Sequence, residues 1–271
     1  MLFAEVSLKR RHFLAASLAT SAAALAHRSA AQTPATGQRE FYQLRRYILQ
    51  SGPQIALTER YLSDALIPAL ARRGMGPVGA FRLDIGPETP VTYVLIPSRS
   101  IDALVTLDLD LARDAEFLKA ADPFWSAPAN AQAFVRVEVS MMAAFEGWPR
   151  VTPPQPPLAH GKRIFQLRTY ESPSFRDHVL KVEMFHAGEF GIFQAAGFQP
   201  VFFGDMLIGP RMPCLTYMLC MTDMADMDAK WNAFRSDPNW KKLSADPKYA
   251  FEPIVDNITN LFLSPLAVSQ I

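Results

Sequence analysis

The sequence predicts an α+β protein made of two tandem β-α-β-β-α-β halves, packed sheet to sheet within one chain. Three observations carry that prediction. First, the chain repeats itself. FYQLRRY at residues 41–47 matches IFQLRTY at 164–170, an offset of 123, and IGP at 85–87 recurs at 208–210 with the same offset. VTYVL at 91–95 matches LTYML at 215–219 at an offset of 124, and DPFW at 122–125 matches DPNW at 237–240 at an offset of 115. Four landmarks in one order are poorly explained by chance. Second, VTPPQPP at 151–157 puts four prolines in seven residues. Such a run lacks the N–H donors of a helix or central strand and forms a stiff, extended linker. Third, Val201-Phe202-Phe203 and Tyr217-Met218-Leu219 are apolar at consecutive positions. A half-exposed strand alternates, so unbroken apolar runs predict sheets buried on both faces.

Residues 1–31 read as an export signal rather than as folded structure. Lys9-Arg10-Arg11 precede Phe13-Leu14, an Ala/Leu-rich stretch without charge fills 15–26, and A-x-A-like cleavage points follow Ala26 and Ala31. The RRHFL run at 10–14 resembles a twin-arginine signal, which routes folded proteins across a bacterial inner membrane. The apolar stretch is too short for a stable anchor, so the expectation is a periplasmic protein with no membrane span after cleavage. Copy 1 then covers 40–148, the proline-rich linker 149–161 and copy 2 162–265.

In copy 1 a strand at 41–47 leads to a helix over about 53–73. Leu62, Leu66 and Leu70 form its buried stripe, Pro68 should kink it, and Gly74 and Gly76 stop it. Residues 101–111 alternate like a strand at LDLDL, 107–111, yet Ile101, Leu104 and Leu111 form a helical stripe; the repeat decides for helix. In copy 2 a strand covers 163–170, and Ser172-Pro173 supplies an N-cap and a first-turn proline. Phe175, Val179, Val182, His186 and Phe193 recur at helical spacing and should face the sheet. Gly197 ends this helix, and strands at 201–207 and 214–221 flank the Gly209-Pro210 turn. Asp223 caps a second helix with the stripe Met224, Met227, Trp231 and Phe234, and 251–263 forms the last strand.

Each β-α-β-β-α-β unit is ferredoxin-like. Its open sheet has helices on one face only, so the other face needs cover. The economical solution is for the two sheets to cover each other. One chain then forms what other proteins form by dimerising, and a homodimer is compatible with this closure but not required by it. The composition, 49% apolar and 20% charged, is globular. The formal net charge of +1 argues against a nucleic-acid partner. Removing 1–31, with Lys9, Arg10, Arg11, Arg28 and Glu5, leaves 23 basic and 25 acidic residues and a net charge of −2. Cys214 and Cys220 sit six residues apart on one strand face, ~20 Å at 3.3 Å per residue, too far for a disulfide. Two free, buried thiols are expected.

FQLRTY opens copy 2 at 165–170, a long helix ends near Gly191 to Gly197, and a Gly-Pro hairpin leads to a strand ending in TYML. A further helix runs into Trp231 and the DPNW motif at 237–240. On these residues the chain resembles the NIPSNAP family, within the dimeric α/β-barrel superfamily. The resemblance extends over nearly all of both copies and is stronger in copy 2. Copy 1 departs at 107–129, where Pro123 and Pro128 interrupt its second helix. The resemblance implies chiefly the fold: related barrels include small monooxygenases, haem-degrading enzymes and stress proteins, and no single reaction or catalytic motif carries over.

His186 is the most interesting candidate. Glu183 and Glu189 each lie three residues away, within reach on a helix. The set reads either as a general base with an orienting carboxylate in a pocket between helix and sheet, or as a satisfied core histidine. His178, two turns earlier, could join His186 only through a substrate. Arg168 and Tyr170 recur as Arg45 and Tyr47 in copy 1; a buried arginine there either recognises a substrate anion or forms a structural ion pair. Asp108 aligns with Trp231, and the aromatics Phe202, Phe203, Tyr217, Trp231 and Phe234 read as core or as the walls of a ligand pocket. Cysteine and histidine spacings support no metal site, and GxGxxG, Walker, HExxH and GxSxG motifs are absent from the sequence.

The leading expectation is an exported protein that binds a small apolar or aromatic molecule without a cofactor, and acts on it if it is an enzyme. His186 would be the base, Glu183 or Glu189 would orient it, and Arg168, Tyr170, His178 and Trp231 would hold the ligand. The alternatives are a non-catalytic interaction module using the outer helices or sheet edges, and a haem-binding protein with a single histidine ligand.

Overall fold

A computed structural model describes residues 39–156 and 162–271. The export signal expected at 1–31, its cleavage points and residues 157–161 of the linker lie outside the described residues. The first half contains β1 (Phe41–Ile48), α1 (Pro53–Tyr61) continued through a π turn into α2 (Ile67–Arg72), β2 (Gly79–Ile85) and β3 (Val91–Ser98). Three short helices follow, α3 (Ile101–Val105), α4 (Leu107–Leu111) and α5 (Ala115–Trp125), and then β4 (Arg136–Ala144). The second half repeats the order. It has β5 (Ile164–Glu171), α6 (Phe175–Met184) continued through a π turn into α7 (Phe190–Ala195), β6 (Gln199–Ile208) and β7 (Cys214–Met221). After these come α8 (Met224–Ser236), α9 (Pro238–Ser244), α10 (Phe251–Ile254) and β8 (Asn257–Pro265).

The halves are ferredoxin-like, with sheet orders β4-β1-β3-β2 and β8-β5-β7-β6. They meet along their edges as well as across their faces. β2 pairs antiparallel with β8, placing Phe81 opposite Pro265, and β4 pairs with β6, placing Met142 opposite Met206. The result is a closed barrel of eight antiparallel strands in which each strand has a hydrogen-bonded neighbour on both sides. Aromatic pairs tie the halves together inside it: Phe81 and Phe165 have ring centroids 4.8 Å apart, and Tyr42 and Phe202 5.3 Å. Outside the barrel each half carries its own apolar layer between sheet and helices. Both faces of the sheets are therefore covered, as the apolar runs predict.

The strand register refines one of the repeat landmarks. Arg45 lies opposite Val94 on β3, and its counterpart Arg168 lies opposite Tyr217 on β7. The structural offset across these strands is thus 123, and the match of VTYVL to LTYML at 124 is one residue out of step. Because side chains alternate along a strand, that one residue decides the face. Tyr93 points into the barrel, whereas Tyr217 points toward the helices.

The long helices depart from simple periodicity. In the first half a π turn at Leu62–Leu66 immediately precedes Pro68, and Leu62, Leu66 and Leu70 are all buried, as predicted. In the second half a π turn recurs at Phe185–Glu189, again at an offset of 123, with no proline beside it. Here the predicted stripe needs correction. Phe175 and Val179 are 68% and 61% exposed, and His186 is exposed. The face turned to the sheet is His178, Lys181, Met184, Phe185, Glu189 and Phe193, displaced by one residue or about 100° around the axis. Phe185 explains the choice: its ring centroid lies within 6.5 Å of those of Phe145, Tyr170, Phe193, Phe203 and Tyr217. Sinking one Phe into that cluster outweighs leaving Val179 and His186 outside.

Three local expectations are also corrected. The N-cap of α6 is Ser174, whose Oγ accepts from the Asp177 N–H, while the Ser172 hydroxyl donates to the Ile254 carbonyl at 2.8 Å. Residues 251–254 are helical, so the last strand starts at Asn257. Pro123 lies inside α5 rather than ending it. Residues 101–111 are helical, as the repeat argued.

Two outcomes are expected. Phe81→Ala removes a ring shared by both halves and should cost about 3–5 kcal/mol, lowering the guanidinium midpoint of one cooperative transition followed by circular dichroism. Cys214 and Cys220 are free and buried in the barrel interior, and burial pushes their thiols up to about 11 and about 12. At pH 8 about one thiol in a thousand or fewer is then ionised, so Ellman's reagent should leave the native protein unmodified and titrate both thiols after denaturation.

Candidate functional site

The first strand of each half presents the same three polar or aromatic side chains to its helices: Gln43, Arg45 and Tyr47 on β1, and Gln166, Arg168 and Tyr170 on β5. A guanidinium taken from water into a sheet–helix layer needs partners. In the first half it has them. Arg45 is buried; its Nη2 donates to Asp108 Oδ1 at 2.8 Å and its Nε to Gln43 Oε1 at 2.5 Å. Asp108 projects from α4, so the structural ion pair is the correct reading for Arg45.

In the second half the place of Asp108 is taken by Trp231, on α8. Arg168 stacks over that indole with its Cζ 4.6 Å from the ring centroid, and lies 5.3 Å from the Tyr170 ring and 5.9 Å from that of Tyr217. Its Nη2 donates to the Tyr170 hydroxyl at 3.0 Å, and that hydroxyl is 2.9 Å from the Tyr217 hydroxyl. The Arg168 Nε is buried and has no hydrogen-bond partner. Trp231 is fixed in turn: its Nε1 donates to Gln166 Oε1 at 2.9 Å, and Gln166 Nε2 donates to Asn260 Oδ1 at 3.2 Å.

Above this arginine lies a cavity of about 500 Å³, walled by Arg168, Tyr170, Phe193, Trp231, Asn260 and Phe262. Lys181 and Glu189 lie at its floor, 1% and 2% exposed, joined by an ion pair. The Lys181 Nζ is 5.4 Å from the Tyr170 ring centroid and 4.8 Å from that of Phe185. Burial raises the Glu189 carboxyl above its usual range, opposed by the Lys181 and Arg168 charges. The π turn makes this pair possible. Residues eight apart fall off one face of a regular α-helix, and one inserted residue returns them to it. With Asp228 and Arg235 at the cavity wall, three cations face two carboxylates.

The residues expected to act around His186 are dispersed. His186 sits on the outer surface, its Nδ1 2.9 Å from the Val182 carbonyl and its Nε2 3.1 Å from the Gly147 N–H. That pattern suits a neutral ring donating from Nδ1 and accepting at Nε2. Glu183 bonds instead to Lys248 and to the Tyr249 hydroxyl, which hold its carboxyl below the usual range. Glu189 faces Lys181. Neither carboxylate orients His186, because the helix turns Glu189 inward and Glu183 toward residues 248–249. His186 and Glu183 instead line a separate hollow of about 360 Å³ with Arg39, Val179 and Asp205. His178 is buried, with Nε2 2.6 Å from Asp205 Oδ1, and links α6 to β6 rather than lining the large cavity.

Of the predicted ligand-holding residues, Arg168, Tyr170 and Trp231 therefore come together and His178 does not. Lys181 was missed; its signal is a lysine on the inward face of α6, visible only once that face is assigned. Among the described residues no group of three His, Cys, Asp or Glu side chains could hold a metal ion, and no helix is long and apolar enough to cross a membrane.

No curated protein matches this sequence. Among solved structures, a candidate monooxygenase from Fusobacterium nucleatum is similar with a TM-score of 0.54 and 9% identity, over 85% of this chain and 94% of that one. Another from Lactobacillus acidophilus NCFM has a TM-score of 0.53 and 9% identity, over 84% and 94%. An anthrone oxidase-like protein has a TM-score of 0.50 and 10% identity, over 85% and 93%. At such identities the likeness is one of fold, and it runs through both halves of the barrel. Residues 165–270, within the half that holds the Arg168 cavity, match the family model NIPSNAP.

Proposed function

We propose that this chain binds a small aromatic carboxylate in the cavity of its second half, with the first half a diverged copy of the same domain and the mature protein exported to the periplasm. One observation carries the binding reading. The first half supplies its strand arginine with Asp108 at 2.8 Å, whereas the second half puts the Trp231 ring there and leaves a cavity of about 500 Å³ in front of Arg168. The carboxylate that Arg45 receives from its own helix would come to Arg168 from a ligand. Trp231, Phe193 and Phe262 supply apolar walls for a ring, and the excess of cations over carboxylates favours an anion. This site does not include His186, so any general base in it must come from Glu189, Asp228 or Lys181.

Titration calorimetry with phenylacetate tests the proposal, with neutral phenylacetamide as the control. The acid should bind and the amide should not. Arg168→Met should weaken the acid by about 1.5–3 kcal/mol, roughly 10–150-fold. Trp231→Asp should rebuild the ion pair of the first half and abolish binding, with the melting temperature lowered by loss of the indole contacts to Phe193, Phe198 and Phe234, while Asp108→Ala should leave binding unchanged. Equal binding of acid and amide, or an Arg168→Met variant that binds as well as the parent, overturns the proposal.

A further inference from the structure

Lys181 and Glu189 are not needed to hold a carboxylate, and their burial is costly unless it serves something. Two ionised groups removed from water lose several kcal/mol of solvation each, which a good contact only partly restores. They nevertheless line the cavity together. Arg168 and Lys181 lie on a common ring: the Arg168 Cζ is 5.3 Å and the Lys181 Nζ 5.4 Å from the Tyr170 ring centroid. Because both line one cavity, a ligand whose carboxylate meets Arg168 extends into space bordered by the Lys181 amine and the Glu189 carboxylate bonded to it. An amine buried beside the Tyr170 and Phe185 rings, with an adjacent proton acceptor, is what imine formation with a carbonyl calls for.

We infer that Lys181 is a nucleophile and that the cavity captures an aryl oxo acid as a reversible imine. The carboxylate is held by Arg168, the aryl ring by Trp231 and Phe193, and the ketone carbon faces the Lys181 Nζ. This deepens the carboxylate-binding reading and rests on it. The Glu189 carboxylate takes one proton from the Lys181 ammonium. The freed lone pair forms the new N–C bond while the carbonyl π pair moves to oxygen. That oxygen takes the proton from Glu189 and then a second, relayed by Glu189 from the attacking nitrogen, and leaves as water. The C=N bond forms as it leaves. Ketone and ammonium become iminium and water, with no oxidant or reductant involved.

The full chain is incubated with phenylpyruvate or 3-benzoylpropionate, reduced with cyanoborohydride, and examined by intact mass and peptide mapping, with calorimetry on the same samples. The expected result is one adduct per chain, at Lys181, exceeding labelling at any surface lysine by about ten-fold or more, as a selectively activated amine should. The double variant Lys181→Met/Glu189→Gln removes both charges and avoids an orphaned carboxylate. It should form no adduct with either oxo acid, and phenylacetate titrated on the same sample separates loss of the nucleophile from loss of the cavity. Glu189→Gln alone should slow the trapping. Oxo acid bound with no adduct at Lys181, or labelling spread evenly over the lysines, overturns the imine and leaves carboxylate binding standing. No binding of either the oxo acids or phenylacetate overturns both.

Discussion

Standing apart, the two halves would each expose two bare strand edges: β2 and β4 on one, β6 and β8 on the other. A bare edge is a row of unsatisfied N–H and C=O groups and a template for unwanted pairing. Joining β2 to β8 and β4 to β6 satisfies both pairs at once and bends two open sheets into one closed wall. Everything else in the molecule follows from that closure. The inner faces, carrying Tyr42, Phe81, Phe165 and Phe202, fill the barrel with side chains. The helices are left outside, and the Arg168 cavity lies between them and the outward-pointing residues of the strands, while inward-facing Leu44, Tyr93, Leu167, Met206 and Leu261 line a second hollow of about 330 Å³.

In each of those two outer layers the first strand aims an arginine at the helices, and the two layers treat it differently. Arg45 is neutralised at short range by an acid from α4. Arg168 is sandwiched by aromatic rings, which attract a cation through their faces but leave its hydrogen-bonding edge underused. A ring stack tolerates a charge without cancelling it, so the second layer leaves its guanidinium without the short-range acid that the first supplies.

Much of this was legible from residues alone. The repeat, the proline linker and the apolar runs led to two ferredoxin-like halves covering each other, because pattern at long range is insensitive to a residue or two of error. The edge pairing was not legible, since no side-chain pattern distinguishes stacked sheets from joined ones. The face of α6 was misread for a physical reason. A stripe of Val and Phe suggests burial, but the single side chain that fits the aromatic cluster is Phe185, and it turns the helix with it. Lys181 was then invisible, and Glu189 was read as a partner for His186 rather than for a lysine: charged residues are expected outside, and residues eight apart on a regular helix sit about 80° around the axis from each other. Arg168 and Tyr170 were found because an arginine in a strand buried on both faces needs a partner, and Trp231 because it falls on the apolar stripe of α8.

The covalent joining of the halves has a consequence for how such a site can change. In a barrel assembled from two identical subunits, every substitution appears twice, so a site cannot be closed on one side without closing the other. Here Asp108 and Trp231 occupy corresponding places and differ. The chain has escaped two-fold symmetry: one layer is free to serve as scaffold while its twin drifts toward a task of its own.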